Sequence, residues 1–508
     1  MMAALHKIPG IQLDELLNGL VVLNEKLDCT IQRLVLDSRI VQAGDLFIAV
    51  PGYQVDGRKF IDDAITNSAS AILWQSEQES IPIPITWRST PDNHDVPLIA
   101  IENLKDLVGV IADRFYEQPS KSMYTVGVTG TNGKTSCSQF IAQAIAPKMK
   151  CGVIGTMGWG FLDNMQESTH TTPDAITCHE WLADMKNAGA KAVAMEVSSH
   201  ALDQGRVNSV HFDCSVFTNL SHEHLDYHGD MQAYGSAKAR LFNWESVTQC
   251  IINQDDEFGR QLLSGINDKD EIVTYGLQCD VEKPDLYANN IYYHKDGITA
   301  DIHAFSHKAK INSQLYGRFN IYNLLATLGV CLHAGMDFVT AIQQLNHIRP
   351  VKGRMQVIHH DKRPVIIIDY AHTPDALEQA LAALKAHQFG NIWCVFGCGG
   401  DRDRAKRPRM GAIAEQLSDH VVLTNDNPRH ERAEDIINEI KAGMALEQDA
   451  VVEPDRASAI TYAIRNASPD DVILIAGKGH ETWQQVGDKK FPFSDQETVK
   501  TFLQGGSK

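Results

Sequence analysis

The stretch Gly127-Val-Thr-Gly-Thr-Asn-Gly-Lys-Thr135 leaves this chain few folds to choose from. An apolar, β-favouring run from Tyr124 to Val128 leads into it, and a helical pattern follows with Phe140, Ile141, Ala144 and Ile145 on one face. Strand, glycine-rich turn, lysine, hydroxyl and helix together form a phosphate cradle. Backbone N–H groups and the helix N-terminus face the anion, Lys134 adds a full charge, and Thr135 offers a hydroxyl to magnesium. Gly130, Thr131, Asn132, Gly133, Lys134 and Thr135 are therefore candidate nucleotide-binding residues. The strict pattern is missed by one position, since five residues rather than four separate Gly127 from Gly133. The competing account is a tight strand-to-helix turn that needs glycine only for its backbone.

A phosphate-binding protein of this composition must concentrate positive charge locally, because the 508 residues carry a formal net charge of −18. That balance argues against a general nucleic-acid or membrane-surface binder. Hydrophobic content of 43% and charged content of 22% are ordinary for globular domains, and the length suggests about three of them. Ten cysteines are scattered, and Cys394-x-x-x-Cys398 has no second pair to complete a zinc site. With no signal pattern and no bilayer-spanning run in the sequence, a cytoplasmic protein with reduced thiols is expected.

The expected fold class is α/β in three domains. Residues 1–101 read as a small N-terminal α/β domain. Residues 102–349, opening on a linking helix, read as a P-loop ATPase-type domain with a mostly parallel sheet and helices on both faces. Residues 350–508 read as a Rossmann-like α/β domain. Lys191–Val197, Cys214–Asn219, Val365–Asp369, Ile392–Phe396, Val421–Leu423 and Val472–Ala476 are buried-type strands, and Asp296-Gly297 is a hairpin signal.

Open α/β sheets bind ligands beyond the carboxyl ends of their strands, and several chemistry-bearing residues fall there. Glu196 ends one strand and is suited to magnesium, with an N-cap or salt bridge as the plainer role. His224 and His228 stand at i, i+4, but the glutamate a zinc protease needs after the first histidine is absent. Gly397-Cys-Gly-Gly-Asp-Arg402 breaks the dinucleotide fingerprint at its last position. Arg402, Arg404, Lys406, Arg407 and Arg409 form either a solvated helix face or an anion-binding patch. Asp426-Asn427-Pro428-Arg429 is either an Asx-Pro turn or a two-pronged grip on a carboxylate. Glu481, in Gly477-Lys-Gly-His-Glu481, is placed to receive an amine. Asp37-Ser38-Arg39 is a turn or a ligand contact.

Taken together, Gly130–Thr135, Glu196-Val-Ser-Ser-His200, Thr218-Asn-Leu-Ser-His-Glu-His-Leu-Asp-Tyr-His-Gly229, Gly317-Arg-Phe-Asn320, Asp369-Tyr-Ala-His-Thr-Pro-Asp375 and Gly477–Glu481 resemble the ATP-dependent Mur ligases of peptidoglycan precursor synthesis. The resemblance runs along nearly the whole chain. It is closest to the ligases adding the third stem-peptide residue to UDP-N-acetylmuramoyl-L-alanyl-D-glutamate. It implies ATP as co-substrate, Mg2+, an acyl-phosphate intermediate, and no covalent enzyme intermediate.

The resemblance also implies roles for residues that spacing alone does not single out. Lys134, Glu196, His224 and Lys238 would be catalytic, with Thr135, Glu196, His224 and Lys238 around metal. Lys238 would act as a CO2-derived carbamate. Asn320, Asn323, Arg354 and His372 would serve ATP. Leu36, Ser38, Tyr53, Gln54, Val55, Thr171, Thr172, Ser198, Gln204 and Arg206 would hold the UDP-linked substrate, with His170 departing from the asparagine of some relatives. Arg402, Asp426, Asn427, Pro428, Arg429, Gly477 and Glu481 would hold the amino acid. Asp426–Arg429 resembles the meso-diaminopimelate type, because an arginine suits that substrate's second carboxylate and repels the lone ammonium of L-lysine, the alternative substrate. Folylpolyglutamate synthetase, the D-alanyl-D-alanine-adding ligase and a non-catalytic nucleotide binder are the rivals. The expected partners are small molecules only, and a monomer is expected.

Overall fold

A computed structural model of the chain describes all residues except 1–9, 24–26, 28, 53–54, 78–84, 91–93, 169, 267–270, 278–282, 446–449 and 506–508. Two compact units result, Met1–Val273 and Thr274–Lys508.

The first unit begins with a five-stranded sheet in the order Arg33–Val35, Asp45–Ala49, Ala71–Ser76, Asp95–Glu102, Ile85–Ser89. All neighbours are parallel except the last pair. The period of two along a strand sends Phe47 and Ala49 to one core and Leu46 and Ile48 to another. That second core also takes Leu104, Val108 and Ile111 of the helix Leu104–Phe115 and Ala175 and Ile176 of the helix Ala175–Asn187. The linking helix is thus buried between neighbours rather than being a free connector.

The larger sheet of this unit runs Asn164–Gln166, Gly158–Phe161, Cys151–Gly155, Ala192–Glu196, Tyr124–Thr129, Cys214–Phe217, Gln249–Asn253. Its last five strands are parallel, and the first two form an antiparallel edge. The helix Lys134–Ile145 packs on the strands Cys151–Gly155 and Ala192–Glu196. Val193 and Met195 point instead into a cluster with Cys178, Leu182 and Met185, so helices cover both faces.

In the second unit, Leu286–His294, Gly297–Ala304 and His307–Ser313 form an antiparallel meander beside the helices Arg318–His333 and Phe338–Asn346. The first hairpin turns at Lys295 and Asp296, one residue earlier than its Asp296-Gly297 signal, and Gly297 already belongs to the returning strand. A six-stranded sheet follows in the order Gln356–Ile358, Val365–Asp369, Val472–Ala476, Ile392–Phe396, His420–Leu423, Val451–Val452. Only Gln356–Ile358 is antiparallel to its neighbour. Ile367, Cys394 and Leu474 face the helices Pro374–Ala386, Lys406–Leu417 and Ala433–Lys441. Ile366, Ile368, Val395, Ile473 and Ile475 face the helices Arg456–Asn466 and Asp495–Gly505. This is a doubly wound sheet, as the unbroken apolar runs predict.

Eight of the nine cysteines described are buried and all nine are free thiols. No helix among the described residues is long and apolar enough to cross a membrane.

Candidate active site

Strand order places the phosphate loop. The strand Tyr124–Thr129 lies between Ala192–Glu196 and Cys214–Phe217, so the ends of both neighbours flank the loop. Gly130 takes φ 149°, and a Cβ there would strike the Thr218 hydroxyl. On one side, Thr131 N donates to Asn219 O at 2.8 Å, and Asn132 N to Asn219 Oδ1 at 2.9 Å. On the other, Thr135 Oγ1 donates to Glu196 Oε2 at 2.9 Å. Glu196 is buried and also accepts from Thr156 N at 2.8 Å and Thr156 Oγ1 at 3.1 Å. Lys134 Nζ donates to the carbonyls of Gly130 and Thr131, each at 2.7 Å.

Lys238, on the helix Met231–Ala239, is 1% exposed and donates to Gly130 O at 2.8 Å. Burial first, and the charge of Lys134 second, hold its pKa well below the usual lysine value. His224 stands in left-handed backbone (φ 58°), with its ring 4.9 Å from that of His200 and 6.1 Å from that of Tyr234. Burial lowers the His224 pKa, and burial with the neighbouring His224 and His228 takes His200 down to about 4. No cluster of three or more His, Cys, Asp or Glu side chains suited to a metal forms among the described residues. The oxygens of Thr135 and Glu196 nonetheless fit magnesium, a hard cation that takes few protein ligands beside phosphate and water.

A cavity of about 580 Å³ opens in the same unit between the small sheet and the helix Ala175–Asn187. Leu36, His170, Gln204 and Arg206 line it, with Lys105, Asp174 and Tyr227. Gln204 Oε1 accepts from Arg206 Nε at 2.9 Å, and Gln204 Nε2 donates to the Tyr227 hydroxyl at 3.0 Å. Arg206 Nη1 is tied to Thr172 O at 3.0 Å, and burial works against its charge. Thr172 and Ser198 sit behind the wall: Thr172 Oγ1 donates to Glu196 O at 2.8 Å, and Ser198 caps the helix Ser199–Asp203. Thr171 meets Thr156, hydroxyl to hydroxyl, at 3.0 Å. Ser38 is buried in a helical turn capped by Asp37, whose carboxylate pairs with Arg39, so these two carry out the turn role. Val55 is exposed and Tyr53 and Gln54 lie outside the described residues.

In the second unit, the loops after Ile392–Phe396, His420–Leu423 and Val472–Ala476 converge at one sheet edge. Gly477 takes φ 116°, and a Cβ there would stand 2.7 Å from Asp426 Oδ2. Asn427 Nδ2 donates to Glu481 Oε2 at 3.0 Å. Arg429 occupies left-handed backbone (φ 49°) and donates from Nη1 to Gly400 O at 2.7 Å. A hairpin, Trp483–Val486 with Lys489–Pro492, holds this loop: Arg429 N donates to Gln485 O at 3.1 Å, and Gly487 N to Arg429 O at 2.7 Å. The basic run divides. Arg407 is fully buried against Glu431 and Glu439, Arg404 also pairs with Glu439, and Lys406 donates to His372 O at 2.8 Å. Arg409 faces Asp375 at 3.8 Å, and Arg402 forms no hydrogen bond or ion pair among the described residues.

Asn320 and Asn323 are buried one helical turn apart, joined at 3.0 Å. The Arg354 guanidinium lies 4.7 Å from the Tyr370 ring centre, and the His372 ring packs on the same tyrosine at 4.6 Å.

Three stretches match domains of one family in chain order. Residues 30–116 match the Mur ligase family catalytic domain, 128–331 the Mur ligase middle domain, and 353–479 the Mur ligase glutamate ligase domain. A Coxiella burnetii protein named UDP-N-acetylmuramoyl-L-alanyl-D-glutamate–2,6-diaminopimelate ligase is 47% identical over 94% of this chain and 96% of its own length. The chain belongs to the Mur ligase family. A Pseudomonas aeruginosa relative of the same name is 45% identical over 94% of this Mur ligase and 96% of its own length. A solved structure of a ligase with that name superposes with a TM-score of 0.73 at 34% identity, covering 98% of this chain and 100% of that one.

Several further residues shape the candidate sites of this Mur ligase, and Thr156 and Arg456 among them carry no sequence signal. Thr156 follows an unremarkable strand, yet holds Glu196. Arg456 is fully buried, pairs with Asp495 at 2.7 Å, and donates to Ala476 O at 2.9 Å and Asn425 O at 3.4 Å. Lys478, also fully buried, bonds Asn427 Oδ1 at 3.0 Å and Glu481 Oε2 at 2.8 Å.

Proposed function

We propose that this Mur ligase adds meso-2,6-diaminopimelate to the D-glutamate γ-carboxylate of UDP-N-acetylmuramoyl-L-alanyl-D-glutamate, consuming ATP through an acyl phosphate. The observation that carries this reading is the sheet-edge pocket of the second unit. Arg429 is held in an unusual backbone by the hairpin, Arg402 pairs with no carboxylate among the described residues, and Glu481 belongs to the same loop cluster. That pairing of cations with a carboxylate suits a terminus bearing both a carboxylate and an ammonium. The names of the relatives favour diaminopimelate over the lysine alternative.

The chain works as three parts, 1–101, 102–349 and 350–508, in the cytoplasm. The cavity lined by Leu36, Gln204 and Arg206 takes the UDP-linked substrate, with Ser38, Tyr53, Gln54, Val55, Thr171, Thr172 and Ser198 in the same assignment. The phosphate loop takes ATP. Loop amides and Lys134 bind phosphate oxygens, Lys134 exchanging its two carbonyl partners for them. Thr135 and Glu196, with His224 and the Lys238 carbamate, hold magnesium, which when bound neutralises charge where phosphate and carboxylate approach. Orientation of the two anions by these fixed groups supplies much of the rate. The roles expected of Asn320, Asn323, Arg354 and His372 toward ATP belong to the same proposal.

Phosphate release with ATP, magnesium and the UDP-linked dipeptide tests it. Turnover is expected with meso-diaminopimelate and not with L-lysine or without an amino acid. Turnover with lysine instead would leave the mechanism and overturn the role of Arg429. No turnover with either, from protein that binds ATP, would turn attention to the other ligases and the binding-protein rival.

A further inference from the structure

Lys478 lies beneath the amino-acid pocket, and its chemistry is unusual for a place meant to attract an ammonium. Its side chain is fully buried, whereas that of Glu481 is 18% exposed. Two of its N–H donors are committed, to Glu481 Oε2 at 2.8 Å and Asn427 Oδ1 at 3.0 Å. The ammonium also lies 5.4 Å from the centre of the Trp483 ring. Asn427 is fixed from both ends, since its carbonyl oxygen also accepts from Gln485 N at 2.9 Å while its amide nitrogen donates to the same Glu481 oxygen at 3.0 Å. Glu481 Oε2 therefore receives a cation and an amide, and Oε1 accepts no hydrogen bond among the described residues.

We propose that Lys478 is a specificity-determining residue of this site, cancelling enough of the Glu481 charge that an ammonium binds only when a carboxylate accompanies it. The proposal rests on the reading that this pocket takes the incoming amino acid. The cations Arg402, Arg429 and Lys478 stand at the pocket with the carboxylates Asp426 and Glu481, and Lys490 over Trp483 and Arg354 over Tyr370 add positive charge at its margin. The buried Arg456–Asp495 pair beneath them cancels itself. The surplus is positive. A terminus carrying both ammonium and carboxylate meets Glu481 Oε1 with one group and the arginines with the other, and adds no net charge. The lone ammonium of lysine adds to the surplus and leaves the arginines unpaired, which is a built-in penalty against the wrong substrate. Without Lys478, Glu481 becomes a full anion able to hold an ammonium alone.

The test compares kcat/KM for meso-diaminopimelate and L-lysine in the wild type, Lys478→Met, Glu481→Gln and the double variant. Lys478→Met is expected to lower the preference for diaminopimelate about ten-fold or more, with KM for lysine falling. A loss shared equally by both amino acids, with the ratio unchanged, would overturn the proposal, because a merely structural lysine behaves that way. Glu481→Gln leaves Lys478 uncompensated and weakens use of diaminopimelate. Adding Lys478→Met to it is expected to recover several-fold in kcat/KM, and absence of recovery overturns the proposal even if Lys478→Met alone does not fold. A wild type that uses neither amino acid overturns the functional reading itself, and that control keeps the two failures apart.

Discussion

The Lys238 ammonium is 1% exposed and, among the described residues, meets a single backbone carbonyl and the face of Tyr234, 4.5 Å from the ring centre. Such a group sheds its proton readily, and only a neutral amine attacks CO2, forming the C–N bond of a carbamate and releasing a proton. Lys238→Ala is expected to lose most activity and to regain part of it when short-chain carboxylates are supplied; absence of rescue across acetate, propionate and butyrate would remove support for the carbamate. Protonation also governs stability here. His480 packs on Tyr370 at 5.2 Å, and burial, with Arg354 and Lys352 nearby, takes its pKa down to about 4. Between that value and the ordinary 6.5 the unfolded chain binds more protons than the folded one, so stability rises with pH across the window and is lost as pH falls through it. Unfolding midpoints should decline from pH 6.5 to 4, and less steeply in His480→Asn. Of these residues, Lys134 and Thr135 were legible from sequence because their neighbours in the chain make the site. Lys238 carries no signal of its own, since an isolated lysine in a polar stretch reads as solvated, and Lys478, although inside the Gly477–Glu481 motif, gives no sign of its burial, which comes from elements distant in sequence.

Elements carry the sites by ending at the right edge. The strands Ile392–Phe396, Val472–Ala476 and Val365–Asp369 agree with their sequence limits to the residue, because unbroken apolar runs stop at glycine or a carboxylate. The hairpin Trp483–Pro492 escaped, because its alternation is short and its value lies in pairing with the Arg429 loop. The basic run Arg402–Arg409 resolved mostly into internal ties, which charge spacing alone does not distinguish from an anion patch. Beneath the same edge, the Arg456–Asp495 pair joins two helices to the Asn425 and Ala476 carbonyls. Removing one partner strands a buried charge, so Arg456→Met should cost about 3–5 kcal/mol in urea unfolding. Arg456→Met/Asp495→Leu should recover much of that loss; a double variant as unstable as the single would mean the carbonyl contacts, not the charge, dominate.

Across the whole molecule, a net charge of −18 coexists with local cations at every proposed anion site. Composition showed the first fact, and only the fold shows the second, because Arg206, Arg402 and Arg429 are far apart in sequence. Buried thiols offer a further reading. Burial raises the pKa of Cys137, Cys178, Cys214, Cys331, Cys394 and Cys398, which keeps these six as unreactive thiols at neutral pH in the folded chain. A thiol-specific reagent should leave the eight buried cysteines unmodified under native conditions and label them all in denaturant; rapid native labelling of any of the eight would contradict their burial. Five of the eight, Cys137, Cys151, Cys178, Cys214 and Cys250, lie in the first unit, Cys331 lies on the helix Arg318–His333, and Cys394 and Cys398 lie in and just after a strand of the final sheet, so each sulfur dates the opening of the layer around it. The chain therefore carries its own clock for unfolding, readable by mass as each newly exposed thiol takes up the reagent.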